Sequence, residues 1–391
     1  MEVLGITTAK LFPEIDSNEF EEAEKVTQKA IRLNPNLSVA YNNLGSIYRE
    51  NGKLNEAESF VRKAIKINPK YSKALSLLGT ILLEKNESEE AKKSWLKALE
   101  YNPKLNNVSF KLGKRYYHEQ NYTEAIKYFK KDNNENSKVL YLGCLLSLDK
   151  KLDFYRSYKI IANQNIYNAE LGGIIEHANI IYQDNLNSNF CNKAMNYIMF
   201  DQINSDSLPN EFFNQLIEYF KDTKNNKKHQ AILKSGSQTS GNLFTLEQPF
   251  IQCMKQCLEE KISKYKLKYK DSQESFIKNW PKDYELRSWM IGMKKGGYLK
   301  QHNHGYGWIT GSFYLEVPSM KNNDCDAGNI AFSYQGPYYP DKGKDFCLSK
   351  RQVQVRDICL FPSSLFHHTI PFQSKSERIC FVFDLTPAKN L

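Results

Sequence analysis

ELRSWMIGMKKGGYLKQHNHGYGWITGSFYLEV (285–317) is where the hydrophobic period of this chain changes. Trp289, Ile291 and Met293 alternate with their neighbours, and after a glycine-rich break Phe313, Leu315 and Val317 do the same. A period of two puts successive side chains on opposite faces of an extended backbone, so these segments read as strands. The pattern returns at Ile330, Phe332 and Tyr334, at 353–355 and 358–360, and at Ile379, Phe381 and Phe383, with Gly, Pro, Asn and Asp between. Many short strands with turn residues between them predict a sandwich or barrel of jelly-roll type over about 284–385.

The break inside that stretch carries the chemistry. His302 and His304 are separated by one residue, so in an extended segment both imidazoles project from the same face. A third imidazole, His367 or its neighbour His368, follows Phe361-Pro362-Ser363 beside the next-to-last strand. Three nitrogen donors with open coordination positions suit a redox metal better than a closed structural site.

Upstream of Pro281 the period is helical. Proline at 209 suits a first helical turn, and Phe212-Phe213, Leu216-Ile217 and Tyr219-Phe220 then form an apolar stripe. The Gly/Ser-rich residues 235–242 read as a loop, and Ile251, Met254, Leu258, Ile262 and Tyr265 as one face of a second helix. These two helices are expected to flank the sheet, making 206–391 one domain. Residues 151–205, with helical spacing at Ile174-Ile175, Ala178 and Ile181, read as a helical connector.

The first 150 residues hold an internal repeat. Ala23, Ala57, Ala91 and Ala125 recur at a spacing of 34, as do Leu44-Gly45, Leu78-Gly79 and Leu112-Gly113, and Asn-Pro at Pro35, Pro69 and Pro103. Small residues let two helices approach closely, and Asn-Pro stops the second helix before the next unit begins. The pattern resembles the tetratricopeptide repeat over about 17–135, with Leu142-Gly143 opening a shortened last unit. The resemblance implies a helical solenoid whose concave face binds a protein or peptide.

The run Trp289, Gly296-Gly297, His302-Asn303-His304, Thr310 to Tyr314, Val317-Pro318, Gly328, Phe361-Pro362-Ser363, His367, Pro371 and Glu377-Arg378 resembles the 2-oxoglutarate-Fe(II) oxygenases related to prolyl hydroxylases. That resemblance implies a double-stranded β-helix in which His302 and His367 hold Fe(II) and Arg378 pairs with the far carboxylate of 2-oxoglutarate. A guanidinium can hold a carboxylate through two parallel charge-assisted hydrogen bonds, which lysine cannot reproduce. Tyr314 is a further candidate cofactor contact, although Tyr314 and Trp289 both also suit a core.

Two departures stand out. Wider relatives place a carboxylate two residues after the first histidine, where this chain has His304; either His304 or a carboxylate elsewhere, with Glu316 a candidate, would be the third ligand. Relatives often place serine two residues after the arginine, where this chain has Cys380, a weaker donor.

The formal charge is +10, with lysines spread among glutamates rather than gathered in one basic tract, and no zinc-finger or RNA-binding signature accompanies it. No nucleic-acid or membrane partner is expected. Eight cysteines form no pair of zinc knuckles and no dense disulfide framework, and no leader or long apolar run is visible. A reducing cytoplasm is the expected location. The whole reads as a multidomain α + β chain, a tetratricopeptide-repeat solenoid followed by a double-stranded β-helix with flanking helices. Its expected activity is that of a non-haem iron dioxygenase. Two readings compete with it. One is a three-histidine enzyme of cupin type that uses no oxoglutarate, suggested by Gly296 and His302-x-His304 but lacking the glutamate that motif wants near Gly307–Ile309. The other is an interaction scaffold with a non-catalytic barrel.

Overall fold

The computed structural model describes residues 17–105, 107–132, 134–164, 166–222, 227–228, 230, 232–318 and 326–388. The chain divides into two units, Met1–Cys144 and Leu145–Leu391. Cys325 lies outside the described residues; the remaining cysteines are free thiols.

The first unit is a series of helix pairs: α1 (Ser17–Leu33), α2 (Ser38–Glu50), α3 (Leu54–Ile67), α4 (Ser72–Glu84), α5 (Ser88–Tyr101), α6 (Val108–His118) and α7 (Tyr122–Phe129), with the division falling inside α8 (Glu135–Ser147). The recurring glycine is where each pair closes. A Cβ at Gly45 would run into Val61, one at Gly79 would lie 2.5 Å from Trp95 Nε1 and 2.9 Å from the Ala91 carbonyl, and one at Gly113 would lie 2.6 Å from the Phe129 ring. Ala57, Ala91 and Ala125, one unit apart, are fully buried on the facing helices. The Asn-Pro positions also have a local cause. The side-chain oxygens of Asn34, Asn68 and Asn102 accept from the backbone N–H two residues on, at 3.1, 3.2 and 3.2 Å, an Asx turn that reverses the chain between units.

That packing inverts the usual effect of a glycine-to-alanine change. In an open helix Gly79→Ala would stabilise by about 1 kcal/mol, but forcing a methyl against Trp95 and a backbone carbonyl costs about 1–3 kcal/mol. The variant is therefore expected to unfold at lower urea than the wild type when helicity is followed by circular dichroism. A higher midpoint would show that the helix pair is looser than described.

The second unit is an antiparallel two-sheet structure flanked by helices. It begins with α9 (Lys151–Ala162) and α10 (Ala169–Tyr182), continues through β1 (Met199–Gln202), α11 (Asn210–Lys221), β2 (Lys227–Lys228) and β3 (Leu233–Thr239), and then α12 (Pro249–Lys268) and α13 (Ser275–Lys278). Seven further strands follow: β4 (Tyr284–Leu299), β5 (Ile309–Glu316), β6 (Ile330–Ser333), β7 (Leu348–Arg351), β8 (Asp357–Pro362), β9 (Phe366–Thr369) and β10 (Arg378–Pro387). The larger sheet runs β1-β8-β5-β10-β4-β3-β2 and the smaller β7-β6-β9. The long strands β4 and β10 pair from Tyr284↔Pro387 to Met293↔Arg378. Their alternation sends Phe381 and Phe383 to one face, against Phe244 and over Gly311, while Arg378, Cys380 and Val382 line a cavity on the other. Helix α11 covers the outer face, with Phe213 edge-on to Phe313 and Phe220 over Gly292, where no Cβ would fit.

Three expectations meet a different local structure. The residues read as a loop at 235–242 are mostly strand β3, paired as Gly236↔Met293, Ser237↔Gly292 and Gln238↔Ile291. The small side chains carry no alternation to read, yet they let backbone approach backbone, since a Cβ at Gly236 would strike the Gly292 carbonyl. The strand read at 353–355 lies earlier, at β7, and Val353 is instead a buried loop residue whose N–H donates to Asn329 Oδ1 at 3.3 Å. Within the span read as a connector, β1 pairs with β8 and α10 is buried along most of its length. Its Gly172 and Gly173 bring it against Ser364, Asn303 and Phe366, beside the histidine-bearing segments.

Candidate metal and cofactor site

Strand pairing brings the histidines together. His302, on the crossing between β4 and β5, exchanges backbone hydrogen bonds with His367 on β9, at 3.0 and 2.8 Å, and the His304 N–H donates to the Ser363 carbonyl at 3.0 Å. The donor atoms of His302, His304 and His367 lie within 4.8 Å of one another. His367, rather than its neighbour His368, completes the cluster.

The ring nitrogens are sorted. His302 Nδ1 faces the Lys300 carbonyl at 2.8 Å, His367 Nδ1 faces the Leu365 carbonyl at 3.2 Å, and His304 Nδ1 faces both oxygens of Asp384 at 2.7 and 2.8 Å. Carbonyls and an ionised carboxylate accept, so each Nδ1 is the protonated nitrogen, and in the neutral ring each Nε2 is the one free to ligate. His302 and His304 Nε2 stand 3.3 Å apart. Burial, and next the neighbouring imidazoles, pushes His302 down to about 3 and His367 well below the ordinary histidine value, which keeps both in the neutral form that ligates. His177 on α10 shows the contrast: its Nε2 faces the Pro340 carbonyl and its Nδ1 accepts from Gly336 N–H, leaving nothing free for a ligand. Three clustered imidazoles with every Nδ1 anchored could hold a divalent cation through their Nε2 atoms, and the set is compatible with ferrous iron.

Arg378 opens onto the same cavity. Its side chain is 2% exposed, its Nε donates to the Gly328 carbonyl at 2.9 Å, its Nη1 to Cys380 Sγ at 3.4 Å, and its guanidinium carbon sits 5.0 Å above the Tyr314 ring. Among the described residues no carboxylate pairs with it. A buried cation without a counter-charge is costly, and the cavity beside it, with Ser312, Thr369, Gln230 and Trp289 on its walls, is where an anion would remove that cost.

Tyr314 does not line the cavity. It lies beneath Arg378, its hydroxyl 3.7 Å from Cys359 Sγ, and burial holds that hydroxyl well above the usual phenol range. Its ring steadies the guanidinium. Trp289 does line the cavity, stacked on His304 with ring centroids 5.8 Å apart, and its enclosed Nε1 has no acceptor among the described residues. Glu316 is turned elsewhere, at the end of β5 in an ion pair with Lys221. The carboxylate that reaches the histidines is Asp384, which the sequence reading missed. One signal was present: Asp384 is the charged residue in the apolar run 379–385, and period two puts it on the face of Arg378.

With this geometry in place, residues 287–384 match the family described as "Putative 2OG-Fe(II) oxygenase", and residues 38–71 and 60–93 match tetratricopeptide repeats. The chain thus has tetratricopeptide repeats in its first unit and, in its second, a region that matches this 2OG-Fe(II) oxygenase family. The oxygenase family implies iron and 2-oxoglutarate, and the three-histidine cluster with its neighbouring guanidinium is compatible with both. Similar solved structures include Pseudomonas aeruginosa pilF, at 21% identity over 38% of this chain and 68% of that one, TM-score 0.34. YrrB, a repeat protein with an unusual peptide-binding site, is 18% identical over 43% of this chain and 88% of that one, TM-score 0.37. The first repeat domain of Spaghetti (RPAP3), bound to HSP90 peptide SRMEEVD, is 29% identical over 26% of this chain and 80% of that one, TM-score 0.25. No curated protein matches the chain. Among the described residues no helix is long and apolar enough to cross a membrane.

Proposed function

We propose that this protein is an Fe(II)- and 2-oxoglutarate-dependent dioxygenase that hydroxylates a side chain of a protein or peptide held by its repeats. The observation that carries the reading is one cavity containing both three clustered imidazoles and a buried guanidinium that has no counter-charge among the described residues. His302, His304 and His367 would hold the ion, and Arg378 would hold the distal carboxylate of the keto acid. When bound, the pair would supply oxidative decarboxylation, in which 2-oxoglutarate, dioxygen and a substrate C–H group give succinate, carbon dioxide and the hydroxylated substrate. The protein's part is placement and exclusion of water. Ile291, Leu299, Ile330 and Val382 form the apolar walls that keep bulk solvent from the site, and Trp289 Nε1 offers a donor for a carboxylate or carbonyl oxygen.

The test is metal content together with 2-oxoglutarate-dependent succinate release by the purified chain. Iron and succinate support the proposal; metal without succinate would favour a three-histidine enzyme that needs no keto acid; neither would leave a scaffold. The role of the repeats has its own test. Removing residues 1 to about 150 is expected to weaken turnover of a peptide substrate while leaving uncoupled decarboxylation of 2-oxoglutarate largely intact, and unchanged peptide turnover would remove the delivery role.

A further inference from the structure

Resting on the proposed iron site, we infer that Asp384 restores, one hydrogen bond away from the metal, the negative charge that a directly ligating carboxylate would otherwise supply. With His304 as the third ligand, the site would offer a divalent ion three imidazoles and no anionic protein ligand in direct contact. Asp384 lies behind that imidazole, with both carboxylate oxygens within 2.8 Å of Nδ1. Its Oδ1 also accepts from Thr310 Oγ1 at 2.7 Å, and Thr310 Oγ1 is in turn 2.8 Å from Ser363 Oγ. Ser363 is the residue whose carbonyl anchors the His304 backbone, so one chain of hydrogen bonds fixes His304 at its ring Nδ1 and at its backbone N–H.

The charges support the assignment. Among the described residues Asp384 pairs with no lysine or arginine, and its carboxylate and the His304 ring are both largely enclosed. An enclosed carboxylate with no cationic lysine or arginine beside it carries a burial cost, as does the guanidinium of Arg378. The charges balance in one state: the two positive charges of a ferrous ion and the one of Arg378 would equal the two negative charges of 2-oxoglutarate and the one of Asp384. The loaded site is neutral only if Asp384 is counted. A carboxylate behind a ligating imidazole also fixes its tautomer and raises its basicity, and loss of such a partner usually costs about 10–100-fold in metal affinity.

Asp384 is thus a positioning residue, and its signature is metal affinity rather than fold. Ferrous ion binding should be measured anaerobically by titration calorimetry, and cobalt(II) binding by its visible absorption, on wild type, Asp384→Asn and Asp384→Ala. Asp384→Ala is expected to weaken ferrous ion by about 10–100-fold, with Asp384→Asn, which keeps an acceptor but no charge, between the two, and with a changed cobalt spectrum in both. Thermal melts of the metal-free variants separate this from a structural role, which would lower the melting temperature and leave the metal affinity of the folded protein unchanged. If wild type binds metal and both variants bind it equally well, the inference fails while the proposed function stands. If wild type binds no ferrous ion, both fail.

Discussion

Arg378→Ala is expected to leave a folded protein that still binds iron but holds 2-oxoglutarate about 30- to 4,000-fold more weakly. Truncating one partner of a buried, hydrogen-bonded charge pair typically costs about 2–5 kcal/mol, and each 1.4 kcal/mol is about tenfold in affinity. Arg378→Lys keeps the charge but not the planar fork, so it should recover only part of the loss. The control lies in the metal-free protein. Without an anion, the guanidinium is a buried charge held among the described residues by a carbonyl, a thiol and the Tyr314 ring, so its removal should cost little stability. Calorimetric titration of 2-oxoglutarate and thermal melts on the same samples read both effects. A variant that binds the keto acid as tightly as wild type, or one that simply unfolds, would mean Arg378 is part of the scaffold.

His367→Ala is the second large effect. His367 is the buried member of the cluster, on the short strand β9, and its backbone is bridged to His302. Removing its imidazole takes away one of three neutral donors and leaves an open volume beside Phe361, whose ring lies 4.7 Å from it between centroids. The loss in ferrous affinity should exceed the about 10–100-fold expected when an outer hydrogen-bond partner is removed, and succinate release should fall with it. The backbone bridge between His302 and His367 does not depend on the imidazole, so the fold should survive. Equilibrium dialysis with Fe(II) checks the first claim and near-ultraviolet circular dichroism the second. Retention of iron at wild-type affinity would mean the ion sits elsewhere.

The repeats were legible because each local signal recurs: a glycine under a bulky side chain, a buried alanine opposite, an asparagine closing the turn. The β domain was legible where strands alternate, as in β4, β5 and β10. It was not legible in β3, where Gly236 and Ser237 hold their place by backbone approach and carry no apolar face to read. Helix α10 was visible as a helix but not as the element packed against the histidine segments, because close packing through Gly172 and Gly173 leaves no mark in the pattern beyond two small residues.

The sequence by itself determined which residue types were available for the chemistry, His302, His304, His367 and Arg378, and which secondary structure carries them, because side-chain period is a local property of the backbone. Only the tertiary structure decided that Asp384 rather than Glu316 stands behind His304, that Tyr314 supports Arg378 from beneath, and that Trp289 faces the cavity. Those outcomes depend on which distant strands pair and in what register, and pairing is set by the sum of packing over the whole sheet rather than by any single stretch of it.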